Sequence, residues 1–495
     1  MQDILFEAEI WDPTISGLVP LRLSLGGYNH PSAPGYYPPR LDLSEAFTRS
    51  LWREGPFTSA QMAWGAVRAL NLDGSLNWLL SHECAVDGRP ARLLVGDGVA
   101  AYGSFIPWAT GMMEQCFPAK DAVIFRWRDD LAAVIDKTLQ SHQFAGTNTL
   151  PDGIEGTADD LKDRWVPCGY GAARNVAPPV ANTVKLVLRV ADTACTVSAV
   201  RDKGVPYPIL TRVASLAAFM AATVPAGTAL WFAGSEGTFA RVLSCSGQLT
   251  VDVTEGSSAA ERTAAQIFRR MLLRLGVADE RIHAGDLAAL DVAAPAEVEF
   301  WTGTEAVTGR TALDAVAGTA GADYWLDVAG LWRIRRLEAP AGPPVLTFRR
   351  FGLDQAAGAA DVDIIDWEYL EDTGEARGVP PYQTSIAWGW NYTVQRDADL
   401  GGDKTRSDDP VGGIARRSWL GVAARTASTP ADAAIRITHP LSKPRTFEAT
   451  RFVNEADAAA EALRRQTLLG VTRRRLRLAV PWDQVAERAD LGQGG

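Results

Sequence analysis

The chain has 495 residues, 47% of them apolar and 22% charged, a composition that excludes a largely disordered protein. At ~150 residues per domain, that length predicts three or four domains. Forty-nine basic against fifty-nine acidic side chains leave a net charge of −10, which argues against broad capture of nucleic-acid backbone by clustered positive charge. No run reaches the ~18 apolar residues of a membrane span. The opening Met1-Gln2-Asp3-Ile4-Leu5-Phe6-Glu7 carries acid where a secretory signal needs Lys or Arg, so the expectation is synthesis and retention in the cytoplasm.

Residues 1–145 read mostly as strands. Ile4, Phe6, Ala8 and Ile10 alternate with Leu5, Glu7 and Glu9, and Leu21, Leu23 and Leu25 alternate with Arg22 and Ser24, the period of two that a pleated strand imposes. Ala122 to Trp127 is a further strand, and Asp129 opens a short helix with Leu131, Val134, Ile135 and Leu139 on one face. Residues 146–255 begin with turn chemistry up to Val180, including Pro151-Asp152-Gly153 and Pro178-Pro179, which predicts a connector lying over a domain surface. A hairpin module follows. Val184 to Val190 and Val197 to Val200 are predicted to pair about Ala191-Asp192-Thr193-Ala194, and Leu230 to Ala233 with Phe239 to Leu243 about Gly234-Ser235-Glu236-Gly237.

At residues 256–340 the period switches. Ser258 with Glu261 predicts a capping box ahead of the stripe Ile267, Phe268, Met271, Leu272 and Leu275, with Gly276 as the stop. A short helix over Thr311–Ala317, boxed by Asp314, and a hairpin turning at Ala329-Gly330 complete a small α/β module. Over residues 341–495, strands are predicted at Ile364–Trp367 and Thr384–Val394, with Trp388 and Trp390 on one face. Asp397–Pro410 is predicted to be a mobile acidic loop. Asn454 caps a helix over Ala456–Leu469, and the strand after it sets Arg473, Arg475 and Arg477 on one face.

Chemistry that would identify an enzyme is missing. Cys84, Cys116, Cys168, Cys195 and Cys245 contain no CxxC pair, so reduced, mostly buried thiols are expected. His82-Glu83-Cys84 is the only local group of metal-capable side chains, without a second pair to complete a site. Gly401-Gly402-Asp403-Lys404-Thr405 has Asp where a phosphate loop needs Gly, and Gly169-Tyr170-Gly171 lacks the third glycine of a dinucleotide turn. The acid pairs Asp129-Asp130 and Asp159-Asp160 fit first helical turns better than glycosidase acids. Sixteen tryptophans invite a sugar-stacking reading, but their scatter through strand runs favours core and interface packing. The arginine row reads as a solvated strand face or a subunit contact. No catalytic, cofactor-binding or metal-ligating residue is assigned, and no cofactor is expected.

Gly153-Ile154-Glu155-Gly156, Asp160-Leu161-Lys162-Asp163-Arg164, Pro167, Gly169, Arg174-Asn175-Val176-Ala177-Pro178 and Val200-Arg201-Asp202-Lys203-Gly204-Val205-Pro206 together resemble a phage tail protein family of proteobacterial prophages. Two further stretches are similar to hub proteins of long tails. One is the helix ending Leu275-Gly276 with Ala289-Leu290 and Gly321-Ala322-Asp323-Tyr324-Trp325. The other is Trp388-Gly389-Trp390-Asn391-Tyr392-Thr393-Val394 with the later Ala-rich helix and Asp490-Leu491-Gly492. The resemblance spans roughly residues 120 to 492. Asp163 departs from it, standing where Gly is usual. The chain also ends where such proteins continue, so the last barrel is expected to be incomplete or closed by another chain.

The resemblance implies a mainly β protein with α+β insertions. Barrel-like domains at 1–145 and 341–495 are separated by the hairpin-rich β module and the small α/β module. It implies a non-enzymatic virion protein, the baseplate hub at the tip of a phage tail, synthesised in the host cytoplasm. The implied partners are two further copies in a homotrimer, the distal tail protein ring, the tape-measure protein C-terminus, and other tail-tip or fibre proteins. DNA would pass transiently without specific binding. A carbohydrate-active or glycan-binding tail protein is the alternative.

Overall fold

Strand pairing organises the first 128 residues into one antiparallel sheet. The structure, a computed structural model, describes residues 2–42, 64–339, 347–350, 361–370, 378–402, 414–472 and 475–481. Strands β1 (Gln2–Asp12), β2 (Gly17–Ser24), β3 (Leu41–Asp42), β4 (Trp64–Leu70), β5 (Pro90–Asp97), β6 (Ile106–Pro118) and β7 (Ala122–Arg128) pair in the order β2-β1-β5-β6-β7-β4-β3. Ser24 at the end of β2 bridges Pro39, just ahead of β3, so the two edges of the sheet approach each other as in a nearly closed barrel. The alternation read from the sequence places Ile4, Phe6, Ala8, Ile10, Val95, Phe125 and Trp127 inside. Leu5, on the opposite face of β1, is also buried, because the 28–37 segment folds over it with Tyr28, Tyr37 and Phe105. A short helix, α1 (Trp78–Ser81), joins β4 to β5.

After α2 (Leu131–Ile135), two five-stranded sheets face each other. They are built from β8 (Gly169–Val176), β9 (Val180–Asn182), β10 (Val187–Ala191), β11 (Thr196–Asp202), β12 (Val205–Pro206), β13 (Ile209–Arg212), β14 (Thr228–Gly234), β15 (Gly237–Val242), β16 (Leu249–Thr254) and β17 (Glu299–Trp301). One sheet runs β13-β14-β15-β10-β9 and the other β12-β11-β16-β8-β17. Ala173, Leu188, Val190, Val200, Ala240 and Val251 fill the space between. The β14–β15 hairpin forms as predicted, turning between Gly234 and Gly237. The predicted pairing of Val184–Val190 with Val197–Val200 does not form. β10 pairs with β15 and β9, whereas β11 pairs with β16 and β12. Alternation reports that a strand is half-buried, not which strand it pairs with. β10 is in fact buried at every position, because Val187 on its other face packs against Phe219 of a helix, α3 (Leu216–Ala221), and against Phe239.

The connector runs along this sandwich. Asn182 Nδ2 donates to the carbonyls of Pro151 (3.0 Å) and Gly153 (2.9 Å). Buried Arg189 donates to Glu155 (2.7 Å) while stacking over Phe144 and Phe239.

Helices α4 (Ala264–Arg274), α5 (Ala284–Ala293) and α6 (Gly309–Ala320) pack with the hairpin β18 (Ala322–Leu326) and β19 (Trp332–Arg336). Both predicted capping boxes are displaced. Thr263 caps α4 by accepting from Gln266 N–H, and Glu261 instead accepts from Ser257 N–H (2.7 Å) and Oγ (2.9 Å). Thr308 caps α6, and Asp314 accepts from the Tyr324 hydroxyl at 2.7 Å. Helix α5, capped by His283 accepting from Asp286 N–H, was not predicted.

Beyond residue 346, β20 (Thr347–Arg350) pairs in parallel with β21 (Asp361–Ile364). β22 (Asp366–Leu370), β23 (Thr384–Trp388), β24 (Arg425–Ser428), β25 (Arg445–Phe452) and β26 (Arg475–Ala479) follow, with α7 (Ile414–Leu420), α8 (Ala433–Thr438) and α9 (Glu455–Leu469). β23 lies between β24 and β25, and β22 pairs with β26. Among the described residues these strands form no closed barrel. Ile386, Trp388, Phe452, Ala458 and Ala462 join the same core as Phe268, Met271, Leu313 and Trp332. The predicted strand over Thr384–Val394 stops at Trp388, because Gly389 turns the chain at φ +59°, so Trp388 and Trp390 do not share a strand. Asp397–Asp399 form a 3-10 turn, Leu400 is buried, and Gly401 N–H donates to Lys203 O (2.9 Å). The start of the predicted mobile loop is therefore anchored, and its remainder, 403–410, lies outside the described residues, as does Arg473.

Candidate functional site

The acid pairs occupy helical and turn positions. Asp129 accepts from Leu131 N–H at 3.2 Å, and Asp130 pairs with Arg281 at 2.9 Å. Asp160 accepts from Thr157 N–H at 2.5 Å. His82 and Cys84 gain a third neighbour that local sequence could not show. Asp12, on β1, accepts from His82 Nδ1 at 3.1 Å, and the three ligand atoms lie within 4.8 Å of one another. Burial, and then the Asp12 charge, push the Cys84 thiol up. The other Asp12 oxygen accepts from Thr14 N–H (2.9 Å) and Oγ1 (2.7 Å). The group is accounted for as a hydrogen-bonded corner. All five cysteines are free; Cys168 and Cys195 are buried, and Cys245 is exposed.

The segments singled out by the resemblance converge elsewhere. On β8, Asn175 has φ +52°, a left-handed position that Asn tolerates better than most residues. This turns its side chain toward the C-terminal segment, where Nδ2 donates to Asn391 Oδ1 (2.8 Å) and Thr393 O (2.7 Å). Asn391 Nδ2 in turn donates to the carbonyls of Leu420 (2.9 Å) and Val422 (3.0 Å). Asn175 N–H donates to Asp252 on β16 at 2.8 Å, and Arg201 on β11 grips both oxygens of the same Asp252. Four segments far apart in sequence are thus tied by one buried polar network, whose groups would be costly to leave unpaired.

Above this network opens a cleft of about 370 Å³, lined by Arg174, Arg201, Asp252, Trp388, Trp390, Trp419 and Arg425, with Ser198 at its side. Guanidiniums stack on its indoles: Arg425 lies 5.1 Å from the ring centre of Trp388, Arg201 5.3 Å from Trp419, and Arg451 3.6 Å from Trp390. The Trp388/Trp390 pair noted in the sequence does line one site, though from either side of a turn. Arg174 and Arg201 belong to the tail-like stretches, whereas Arg425 and Arg451 were not singled out, because their indole partners are remote in sequence.

Next to the network, Glu299 is fully buried on β17, with the Tyr392 hydroxyl as its neighbour. Burial pushes its pKa up to about 8, and Tyr392, Arg451 and Arg174 offset only part of that rise. A second cleft of about 660 Å³ lies between α6 and β25, with Asp314, Glu448 and Arg465 among its walls. Two of these groups are used in packing: Asp314 accepts from Tyr324, and Arg465 is bound to Glu461 (2.6 Å) and to the carbonyl of Gly318 (2.6 Å).

No family model matches the chain, and no curated protein matches it in sequence. Among solved structures, the chain is similar to the 43 kDa tail protein of prophage MuSo2 from Shewanella oneidensis, with TM-score 0.35 and 12% identity, over 98% of this chain and 85% of that one. It is also similar to the tail protein of Neisseria meningitidis MC58, with TM-score 0.34 and 9% identity, over 96% and 79%. A chain of the native gene transfer agent virion gives TM-score 0.22 and 10% identity, over 56% and 86%. At TM-scores of this size the likeness is distant and does not define a common fold. Among the described residues, no helix is long and apolar enough to cross a membrane.

Proposed function

We propose that the chain is a structural protein of a phage tail, acting as the baseplate hub at the tail tip. The observation that carries this reading is the convergence of the tail-like segments. Asn175 of Arg174-Asn175-Val176 and Asn391 of Trp390-Asn391-Tyr392 lie 216 positions apart, yet share a buried hydrogen bond. The Val200–Pro206 segment joins the same network through Arg201. In this reading the motifs hold modules together rather than perform chemistry, and the chain needs no catalysis and no cofactor.

The proposed organisation is a nearly closed barrel over 1–145, a connector and β module over 146–255, an α/β module over 256–340, and a C-terminal domain over 341–495. Three copies would form the hub, contacting the distal tail ring, the tape-measure C-terminus and the tip or fibre proteins. An acidic bore would let DNA pass without retention, since each lysine or arginine that neutralises a phosphate strengthens holding. Arg477, which pairs with Glu368 on the neighbouring strand at 2.6 Å, fits an outer or contact face in this arrangement. The glycan-binding alternative is weakened at its best site, because one face of Trp388, Trp390 and Trp419 already carries a guanidinium.

Mass photometry of the chain co-expressed with the tail genes adjacent to its own tests the hub. The expected species has about three times the 53.2 kDa mass of one chain and incorporates into tails. A chain that stays monomeric and is missing from purified tails overturns the reading.

A further inference from the structure

The cleft beside Trp388 concentrates positive charge on a chain whose net charge is −10. Asp252 is its only acid, and both oxygens of Asp252 are held by Arg201. Arg174 and Arg425 remain, and among the described residues neither has a carboxylate within salt-bridge distance. Burial raises the pKa of Glu299, the buried acid near Arg174, to about 8, which lowers the charge it sets against Arg174. Among the described residues, the cleft therefore carries two guanidiniums without a salt-bridge partner.

Their setting selects the ligand. A guanidinium stacked on an indole keeps its plane fixed while its N–H edge stays free, and that edge matches the two oxygens of a carboxylate. Arg425 lies over the Trp388 ring, 5.1 Å from its centre. With one face of each indole occupied, the walls offer little stacking surface to a sugar ring. The acidic chain as a whole opposes a nucleic-acid polyanion. A volume of about 370 Å³ accepts one or two acidic side chains rather than a large cofactor.

We propose that this cleft receives carboxylate side chains of a neighbouring protein chain in the assembled tail, with Arg174 and Arg425 as the recognising groups. The identity of the occupant as a protein rests on the tail reading above, while the carboxylate chemistry rests on the cleft alone.

Calorimetric titration of the full chain tests it, using an acetylated, amidated triglutamate peptide beside a triglutamine peptide, inorganic phosphate and galacturonate. The expected result is saturable binding of triglutamate alone, weakening as salt rises. In the Arg174→Gln, Arg425→Gln double variant that affinity should fall at least tenfold, with the fold retained and the melting temperature lowered only by the loss of the Arg425–Trp388 contact. Arg425→Lys, which keeps the charge but loses the fork, should fall between the two. No binding of triglutamate, equal binding by the double variant, or tighter binding of phosphate or galacturonate each overturns the proposal. A chain that binds triglutamate but never enters tails keeps the carboxylate site and loses the tail reading, and the reverse pair of results separates them the other way.

Discussion

Asp163 shows how a departure in sequence becomes a backbone observation. It stands where the tail-like pattern has Gly, and its φ is +65°, in the left-handed region that disfavours a Cβ. The side chain is exposed, so sterics of the main chain, not packing, explain the usual glycine. Asp163→Gly is expected to change stability by less than ~1 kcal/mol, since relief of strain is offset by the greater freedom of Gly in the unfolded chain. Asp163→Val, β-branched and unable to relax there, is expected to lose about 1–2 kcal/mol in urea unfolding. Equal stability of the Val variant would show that the left-handed conformation carries no strain. Glu299 makes a second prediction at this scale. Its folded pKa, about 8, lies above its ordinary value of 4.5. Between those values the folded state holds a proton that the unfolded chain has released, so this group's contribution to stability is complete below about pH 4.5 and is lost as pH rises through 8. Glu299→Gln should flatten that part of the pH profile and gain most against the parent chain near pH 9, by about 1.4 kcal/mol for each tenfold difference in proton affinity between the folded and unfolded chain. Urea midpoints at pH 5 and pH 9 check this, and an unchanged profile would exclude Glu299 as the titrating group. Neither feature was legible in advance: a lone Glu in Val298-Glu299-Phe300 reads as an ordinary strand residue until Tyr392 and Arg451 are brought over it.

At the scale of elements, the short-range signals were the legible ones. The stripe Ile267, Phe268, Met271 and Leu272 is buried on α4 as its spacing predicts, and the Asn454-to-Gly470 boundaries of α9 hold within a residue. What failed were choices between equivalent local signals. Ser258 and Thr263 are both acceptable caps, and the 3-10 turn over Ala259–Glu261 uses up the residues that the earlier one would have started. Strand partners failed for a different reason, since Val187–Ala191 and Thr196–Asp202 alternate plausibly whether or not they pair with each other. Long-range charge was invisible as well, although it ties α9 to α6. Glu461, buried, accepts from Arg336 (2.5 Å), Arg464 (2.7 Å) and Arg465 (2.6 Å), and Arg465 Nη2 donates to Gly318 O and Thr319 O near the end of α6. Burial works to raise the Glu461 carboxyl, but Arg464 and Arg465 hold it below its ordinary value. Its contribution is therefore present above about pH 4.5 and is lost as pH falls through the lowered value, the opposite sense to Glu299. Glu461→Gln removes the buried carboxylate that Arg465 grips, while Arg336 and Arg464 keep Glu338, and is expected to cost about 3 kcal/mol, read from the urea midpoint at pH 7. A loss under ~1 kcal/mol would mean that water already reaches the three arginines.

At the scale of the molecule, the distribution of cores predicts how the chain comes apart. The buried cluster of the N-terminal sheet draws only on residues between Ile4 and Trp127. The largest cluster draws on residues from Leu131 to Ala462 and so binds α2, the α/β module and the β23–β25 sheet into one body. The sequence predicts the first boundary at residue 145, after the helix that begins at Leu131, whereas Leu131, Val134, Ile135 and Leu139 pack in the later core. The union of the later segments was not legible, since residues 256–340 and 384–470 each carry a complete local pattern, and only the packing of Ala458 and Ala462 against the α/β core shows that they are shared. Hydrophobic stabilisation follows buried apolar area within a core, and separate cores lose it separately. Across the division, Thr110 Oγ1 donates to Val328 O at 3.2 Å, and Asp130 pairs with partly exposed Arg281 at 2.9 Å. Polar contacts of this kind add about 1 kcal/mol of coupling each at most. Residues 1–130 expressed alone are therefore expected to fold, with dispersed amide resonances and a cooperative melt. The full chain is expected to unfold in more than one step, with Trp127 and Trp332 buried in different transitions. Trp127→Phe should then shift only the N-terminal step and Trp332→Phe only the other. If residues 1–130 are unfolded alone and both substitutions move one common transition, the two cores are energetically a single unit and the division fails.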